Sequence, residues 1–149
     1  SKPVIFAFNT NDVDKEVGHG LDALDHVKLD IKMEEELLEM NVDEIAELGI
    51  ATGLDALIRK AYEVLGLMTF FTTGETESRA WTITKGSTAP EAGAAIHNDF
   101  KERFIRAEVI AWDVLLEMGS WSAARDAGKL RTEGKGYEVV DGDVIVFRV

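Results

Sequence analysis

The first third of the chain holds two short apolar runs separated by a polar stretch. Residues 3–8 are continuously apolar, which is typical of a strand buried on both faces of a parallel sheet. This run ends at the polar string Asn9-Thr10-Asn11-Asp12, and residues 26–31 form a second candidate strand. Residues 12–25 are polar and are predicted to form a loop or a frayed helix. Because so apolar a strand needs neighbours on both sides, we expect further sheet-forming sequence upstream.

Helical patterns follow these strands. Residues 33–40 and 42–48 have helical character, and Gly49 is expected to end the second of these helices. A third helix is predicted to begin at Thr52 or Gly53 and to end at Gly66. Its apolar positions recur at helical spacing and therefore bury one face: Leu54, Leu57, Ile58, Ala61 and Leu65.

The pattern changes character in the second half. Residues 68–73 are rich in β-branched and aromatic side chains, and residues 78–84 alternate between polar and apolar side chains. Both patterns predict strands. Thr88-Ala89-Pro90-Glu91 is a capping box with proline in the first turn, which predicts the start of a helix. That helix contains His97 and is expected to present one apolar face: Ala92, Ile96, Phe100 and Phe104.

The last quarter completes the pattern. Residues 105–112 alternate between apolar and polar side chains, which predicts a strand. Residues 121–127 are predicted to form a short helix that ends at Gly128. Residues 137–140 and 144–147 flank Asp141-Gly142-Asp143, and Asp-Gly between two alternating runs predicts a β-hairpin. Three aromatic side chains are expected on strands in the core: Trp81, Trp112 and Phe147.

The order strand, strand, helix, strand, short helix, hairpin is that of a β-grasp (ubiquitin-like) fold. We place its first residue near Leu67. The predicted class is therefore α+β, with two parts. Residues 1–66 form the end of an α/β domain with a helical connector, and residues 67–149 form the β-grasp domain.

Composition narrows the function classes. The 149 residues carry a net charge of −12 and contain no cysteine, which excludes disulfides and thiolate metal sites. No apolar run approaches the roughly 20 residues of a membrane helix, and no leader is visible, so we expect a cytoplasmic protein. Residues 1–66 carry 15 acidic and 6 basic side chains, whereas residues 67–149 carry 13 and 10. Because an acidic chain is repelled by bulk nucleic acid, any RNA contact requires a local patch, which is expected in the second half.

Several strings in the second half resemble one family. They include Leu67-Met68-Thr69-Phe70-Phe71-Thr72-Thr73-Gly74, Gly86-Ser87-Thr88-Ala89-Pro90-Glu91-Ala92, Ile96-His97-Asn98-Asp99-Phe100 and Gly128-Lys129-Leu130-Arg131-Thr132-Glu133-Gly134-Lys135-Gly136-Tyr137. They are similar to the C-terminal part of the YchF/Obg-like ATPases, which ends in a TGS domain. The resemblance covers nearly all of residues 50–149 and is looser over residues 1–49. The family's phosphate-binding loop and Mg²⁺ motifs have no counterpart in this sequence.

The resemblance implies a P-loop nucleotidase that uses ATP or GTP with Mg²⁺ and associates with ribosomes through ribosomal RNA or protein. It implies no membrane partner and no recognition of DNA sequence. Since the phosphate loop is not part of this sequence, we expect no hydrolysis by this chain alone and no cofactor held by it alone. The alternative is a stand-alone β-grasp domain that binds or regulates another protein without nucleotide chemistry.

The resemblance also implies a base-reading site near the first strand. Guanine-reading GTPases have Asn-Lys-x-Asp there, and Obg-like ATPases have Asn-x-x-Glu and prefer adenine. This sequence has Asn9 first, Thr10 in the lysine position and Asp12 last, so the preference between ATP and GTP stays open. Asp30 and Ile31 fall in the last nucleotide loop, where smaller residues are usual. The alternative is that these strings are an ordinary turn and a polar strand end.

A basic and aromatic group in the last part of the chain is the candidate RNA or ribosome contact. Clustered Lys and Arg neutralise phosphates, and aromatic rings stack on bases. Lys101, Arg103 and Arg106 would extend the patch, whereas Asp126 and Glu133 dilute it. The alternative is an ordinary surface whose charges pair with neighbouring acids. The group consists of Trp121, Arg125, Lys129, Arg131, Lys135 and Tyr137.

No catalytic residue and no metal site is predicted. Four glutamates in residues 34–39 do not all share one helix face, so they are expected to form a solvated surface. His97 has no histidine or cysteine partner at metal-ligand spacing and is expected in packing or at the surface.

Overall fold

The chain divides into two compact units, Ser1–Leu65 (unit 1) and Gly66–Val149 (unit 2). The structure, a computed structural model, describes residues 2–12, 18, 20–21, 23–49, 52–74 and 77–149. The division lies next to the boundary predicted near Leu67. The interpretation of unit 1 as the end of a nucleotide-binding domain and of unit 2 as a TGS domain stays a prediction.

Unit 1 pairs two strands in parallel and follows them with helices. The strands run in register from Phe6 opposite His26 to Asn9 opposite Leu29. Gly49 and Gly66 follow the second and third helices with φ of 64° and 61°, as expected of residues that end helices. The described elements are β1 (Phe6–Asn9), β2 (His26–Leu29), α1 (Ile31–Leu37), α2 (Val42–Leu48) and α3 (Gly53–Leu65).

Strand β2 is shorter than predicted because Asp30 caps the helix that follows. The Asp30 carboxylate accepts hydrogen bonds from the backbone N–H groups of Lys32 and Met33 at 3.0 and 3.2 Å. Such a cap satisfies amide donors that the first helical turn leaves free. The helix predicted at residues 33–40 therefore begins earlier, at Ile31. The loop or frayed helix predicted for residues 12–25 falls in large part outside the described residues.

Unit 2 is a five-stranded mixed sheet with helices on both faces. The strand order is β4-β3-β7-β5-β6, in which the first and last strands of the unit, β3 and β7, lie parallel at the centre. This is the β-grasp order, and the predicted α+β class is confirmed. The elements are β3 (Leu67–Thr73), β4 (Ser78–Thr84), α4 (Ala89–Ile96), α5 (Asn98–Glu102), β5 (Arg106–Ala111), α6 (Trp112–Met118), α7 (Trp121–Asp126), β6 (Arg131–Glu133) and β7 (Asp143–Arg148).

The two faces of this sheet pack separate cores. On the first face, Phe70 and Ile145 pack with the apolar side of α4 in the larger core. On the second face, Ile110 and Val144 pack with Ala124 of α7 and with side chains of α6. Because side chains alternate along a strand, odd and even positions of β5 and β7 face opposite cores.

The capping box at Thr88 is confirmed. The Thr88 backbone N–H donates to Glu91 Oε2 at 2.8 Å, and the Thr88 hydroxyl donates to the same oxygen at 2.9 Å. These hydrogen bonds lower the pKa of the Glu91 carboxyl, the backbone one contributing most. The helix is shorter than predicted, because His97 adopts extended backbone (φ −162°). His97 therefore lies between α4 and α5 instead of inside one helix, and its Nδ1 accepts from Asp99 N.

The predicted hairpin around Asp141-Gly142-Asp143 is wrong in its first arm. A turn does occur there, with Gly142 at φ 86°. Strand β7, however, pairs with β3 and β5 on its two sides, so neither edge is left for residues 137–140. That segment instead hydrogen-bonds to the start of α4, where Val139 N donates to Ser87 O and Ala89 N donates to Tyr137 O.

Three further differences concern local elements. Trp112 was expected on a core strand, but it begins α6 and is 52% exposed. Its ring lies against Gly142, where a Cβ would come within 2.6 Å of the indole, so glycine permits this close approach. Helix α6 and the three-residue strand β6 were not predicted.

None of the helices in the described part of the chain has the length and apolar character of a membrane-spanning helix.

Candidate functional site

The carboxyl ends of β1 and β2 bring the predicted base-reading residues together. Parallel strands end at the same edge of a sheet, which is where open α/β sheets bind ligands. Thr10 N donates to Leu29 O at 3.0 Å, so the loops after the two strands begin side by side. This edge carries all five predicted positions: Asn9, Thr10, Asp12, Asp30 and Ile31.

Asn9 ties one loop to the other. Its Oδ1 accepts a hydrogen bond from the backbone N–H of Ile31 at 3.2 Å, across 22 positions of sequence. The Thr10 hydroxyl donates to Asp12 O and accepts from Asp12 N, both at 3.1 Å, which closes the turn after β1. The amide nitrogen of Asn9 makes no hydrogen bond to the described residues and keeps two donors for a ligand.

Asp30 and Ile31 have different roles in this edge. Asp30 Oδ1 accepts both hydrogen bonds of the α1 cap, so this oxygen shapes the loop that carries Ile31. Ile31 contributes its backbone N–H to Asn9, and its side chain is 54% exposed. It lines an apolar groove of about 320 Å³ together with leucines of β2 and α3 and the leucine that follows α1: Leu29, Leu54, Leu57 and Leu38.

Glu34, from the glutamate run predicted to be a solvated surface, is partly buried beside this groove. Its Oε1 accepts a hydrogen bond from Gly53 N and so joins α1 to the start of α3. Among the described residues no group of three or more histidine, aspartate or glutamate side chains is arranged to bind a metal ion.

The predicted basic and aromatic group of unit 2 is split between the two faces of the sheet. Arg131 lies opposite Val109 in the β5–β6 pair, so its side chain is on the first face. Tyr137 packs at the border of the same core. Arg125 and Trp121 belong to α7, which covers the second face. The structure therefore does not form one patch from these residues.

On the first face, Arg131 and Tyr137 are held by a buried carboxylate. Arg131 Nη2 donates to Tyr137 Oη at 3.0 Å and to Asp143 Oδ1 at 3.1 Å. The Tyr137 hydroxyl donates to Asp143 Oδ2 at 2.7 Å, and Val140 N donates to the same oxygen at 2.9 Å. The Asp143 side chain is only 3% exposed. The Tyr137 hydroxyl and Arg131 Nη2 are thus paired within the protein, and a role of these two residues in an RNA contact stays a prediction.

On the second face, Arg125 joins a different ionic cluster. Arg125 Nη2 lies 3.2 Å from Glu108 Oε2, and Arg148 Nη2 lies 3.0 Å from the same oxygen. The side chains of Lys129 and Lys135 are exposed and form no ion pair with the described residues. Sequence reasoning missed Glu108 and Arg148. Their alternation along β5 and β7 was visible, but which strands pair, and hence that these side chains meet, was not.

Burial raises the pKa of Tyr137 to about 12, and the hydrogen bond to Asp143 adds to the effect. An unfolded tyrosine titrates near pH 10. The neutral phenol is therefore favoured by folding, and the stability that it contributes is complete below pH ~10 and lost as the pH rises through about 12.

The chain has two tyrosines, so a variant that lacks the other one reports Tyr137 alone. In the variant Tyr62→Phe, phenolate absorbance should rise with a midpoint near pH 12, well above that of free tyrosine. A midpoint near ~10 would show that Tyr137 is not held in this network.

The hydrogen bond from Arg148, together with the charges of Arg148 and Arg125, lowers the pKa of Glu108. An unfolded glutamate titrates near ~4.3. Glu108 therefore stabilises unit 2 fully above that pH, and its contribution is lost as the pH falls through the lower folded value.

We expect Glu108→Gln to lower the urea midpoint at neutral pH and the difference from the unchanged protein to shrink on acidification below ~4. Glu117→Gln, an exposed change on α6, should leave the midpoints unchanged. A Glu108→Gln deficit that is constant with pH would contradict the charge-based explanation.

Comparisons of the sequence place residues 67–149 in one family. They match the model YchF-GTPase_C, described as a protein of unknown function (DUF933). The chain is 52% identical over 122 residues to the ribosome-binding ATPase YchF of Bacillus subtilis, covering 78% of this chain and 33% of that protein. It is 44% identical over 116 residues to Obg-like ATPase 1 of Caenorhabditis elegans, covering 75% and 29%. The chain thus spans about a third of the length of these curated relatives.

Comparisons of the structure agree. The structure of the Schizosaccharomyces pombe YchF GTPase superposes with a TM-score of 0.81 at 29% identity, covering 99% of this chain and 43% of that chain. A GTP-binding protein from Pyrococcus horikoshii shares the fold, with a TM-score of 0.67 at 16% identity and coverage of 98% and 45%. These matches confirm the resemblance to the C-terminal part of YchF proteins. Since the family model covers more than half of its residues, the chain belongs to the YchF-GTPase_C family.

Proposed function

We propose that this chain is the C-terminal part of a ribosome-associated, cytoplasmic nucleotidase that binds ATP or GTP with Mg²⁺. Unit 1 contributes to base recognition, and unit 2 is a TGS module that docks on the ribosome. The proposed role in nucleotide binding rests on the hydrogen bond from Ile31 N to Asn9 Oδ1 at the carboxyl ends of β1 and β2. The names of the relatives, a ribosome-binding ATPase and an Obg-like ATPase, support both the nucleotide-binding and the ribosome-docking part of the proposal.

Asn9, Thr10 and Asp12 suit a purine edge. The Asn9 amide fixes the loops through its oxygen and offers its N–H groups to ring nitrogens. The Asp12 carboxylate can accept from base N–H groups, and the apolar groove beside Ile31 has room for the flat face of a ring. Asp30 acts indirectly, because its carboxylate holds the start of α1.

The phosphates need groups that this sequence does not contain. Phosphoryl transfer requires a glycine-rich loop with its lysine and a bound Mg²⁺ that neutralises developing charge. The 149 residues contain no Gly-Lys-Ser or Gly-Lys-Thr string. We therefore expect the purified chain to release no phosphate from ATP or GTP above a blank. Turnover that follows the chain through purification would contradict this expectation.

Ribosome docking is tested by co-sedimentation of the whole chain across a salt series, with and without ATP. We expect pelleting that does not depend on ATP and that weakens as the salt concentration rises, since contacts with RNA phosphates release counterions. Failure to pellet even at low salt would overturn the docking role of unit 2 and assign ribosome binding to other parts of the intact protein.

A second candidate is a protein-interaction role for the β-grasp unit. It is favoured by an apolar groove of about 430 Å³ beside α6. Leu116 and Trp112 line this groove and are 71% and 52% exposed, which is unusual for large apolar side chains in one place. Binding through this groove should change little with salt, and Leu116→Asp should abolish it, whereas docking on RNA should tolerate that substitution.

A further inference from the structure

A second groove lies at one end of the second face of unit 2 and includes two members of the predicted patch, Trp121 and Arg125. It measures about 690 Å³, and α7 forms one wall and the sheet the other. Trp121, Arg125 and Arg148 line it, together with three hydroxyl-bearing side chains: Thr73, Ser120 and Ser122.

Positive charge is concentrated at this groove in an otherwise acidic chain. Arg106 lies directly opposite Arg148 in the β5–β7 pair, so both side chains are on the second face. Like charges directly opposite one another destabilise a sheet. Glu108 is the one carboxylate that pairs with these arginines within the described residues, and Asp126 is exposed nearby on α7. Three arginines, Arg106, Arg125 and Arg148, thus exceed the two carboxylates, Glu108 and Asp126, by one positive charge and favour an anionic ligand.

The arginines keep donors free for that ligand. A guanidinium has five N–H donors. Arg125 uses Nη2 towards Glu108, and Arg148 uses Nε and Nη2. Both side chains are about half exposed, so their remaining N–H groups are open to phosphate oxygens.

Trp121 adds a stacking surface beside these donors. It begins α7, whose cap is the Ser120 hydroxyl accepting from Ala123 N at 3.1 Å. The indole is partly buried, which holds its orientation, and it lines the groove within reach of the arginines. A positively charged groove with an aromatic platform is the arrangement that binds single-stranded nucleic acid.

We propose that this groove, lined by Trp121, Arg125 and Arg148, binds single-stranded RNA by stacking one base on Trp121 and holding the flanking phosphates on these arginines and on Arg106, which lies opposite Arg148 on the same face. The proposal deepens the ribosome docking proposed above and rests on it for the choice of RNA. It moves the contact away from Arg131 and Tyr137, which lie on the opposite face of the sheet.

The test is binding of fluorescein-labelled decauridylate to the whole chain, followed by anisotropy across a salt series. The double variant Arg106→Gln and Arg125→Gln keeps the Arg148–Glu108 pair and removes one of two opposed charges, so unit 2 should stay folded. We expect its affinity to fall about tenfold and its salt slope to fall by about 1.4, since each phosphate contact on a single strand contributes about 0.7.

The matched control is Arg79→Gln with Lys85→Gln, which removes the same charge at exposed positions on and just after β4, outside the groove. Its affinity should change less than about threefold. Equal weakening by both double variants, or none in the groove variant, would overturn the proposal. So would equally tight binding of polyglutamate, which has charge but no bases and would represent an acidic protein partner.

Ribosome pelleting separates this inference from the proposed function. A chain that pellets with ribosomes while its groove variant binds decauridylate normally would refute the groove and leave the docking role standing. A chain that does not pellet, yet loses decauridylate binding on mutation of the groove, would refute the docking role and support the groove.

Discussion

Asp143→Ala is expected to lower the free energy of unfolding of unit 2 by about 3 kcal/mol. The change removes the acceptor for Arg131, for the Tyr137 hydroxyl and for the backbone N–H of Val140. Breaking a fully buried charge pair costs about 3–5 kcal/mol. The loss here should lie at the lower end, because Arg131 is half exposed and can regain water.

All three tryptophans lie in unit 2, so intrinsic fluorescence during urea denaturation reports this unit alone. Asp126→Ala is the matched control, since it removes an exposed aspartate of α7 and should change the stability by less than about 0.5 kcal/mol. Equal unfolding midpoints for Asp143→Ala and Asp126→Ala would show that the network around Asp143 contributes nothing.

Phe70→Ala is expected to cost about 4 kcal/mol, the typical loss for a buried phenylalanine. Phe70 is completely buried at the centre of β3. Its ring packs edge-on against Phe147 at a centroid distance of 6.0 Å. Phe147 also meets Phe100 and Phe104, so the cavity would open in the middle of an aromatic cluster.

The same fluorescence measurement checks this prediction, and Leu116→Ala is its control. Leu116 is also a large apolar residue of unit 2 but is mostly exposed on α6, so its removal should change the stability by less than about 0.5 kcal/mol. A Phe70→Ala loss of similar size would mean that the first-face core is not the main source of stability.

Local signals in the sequence predicted most elements of the fold. The β4 strand, the capping box at Thr88 and the helix from Trp121 depend on residues close together in the chain. The hairpin prediction at Asp141-Gly142 correctly located the turn. It failed on the partner, because the place beside β7 was already taken by β3 and β5, which are distant in sequence.

The two candidate sites also differ in how far the sequence predicted which residues lie together. The base-reading positions were predicted from a strand end and a resemblance, and the two parallel strands bring them to one edge through Asn9 and Ile31. The basic group was predicted from nearness along the chain. Sheet register separates it, since Arg131 lies opposite Val109 on the first face and Arg125 reaches Glu108 on the second.

The sequence by itself therefore determined the α+β class, the family, most helices and strands, and the polar loop after β1. These follow from periodicity, caps and turn residues, whose physics is local. Only the tertiary structure decided that Arg131 and Tyr137 hydrogen-bond to Asp143, and that Arg125 and Arg148 meet at Glu108 beside Trp121. Those contacts depend on which strands pair and in what register, because a shift of one residue moves every side chain of a strand to the opposite face.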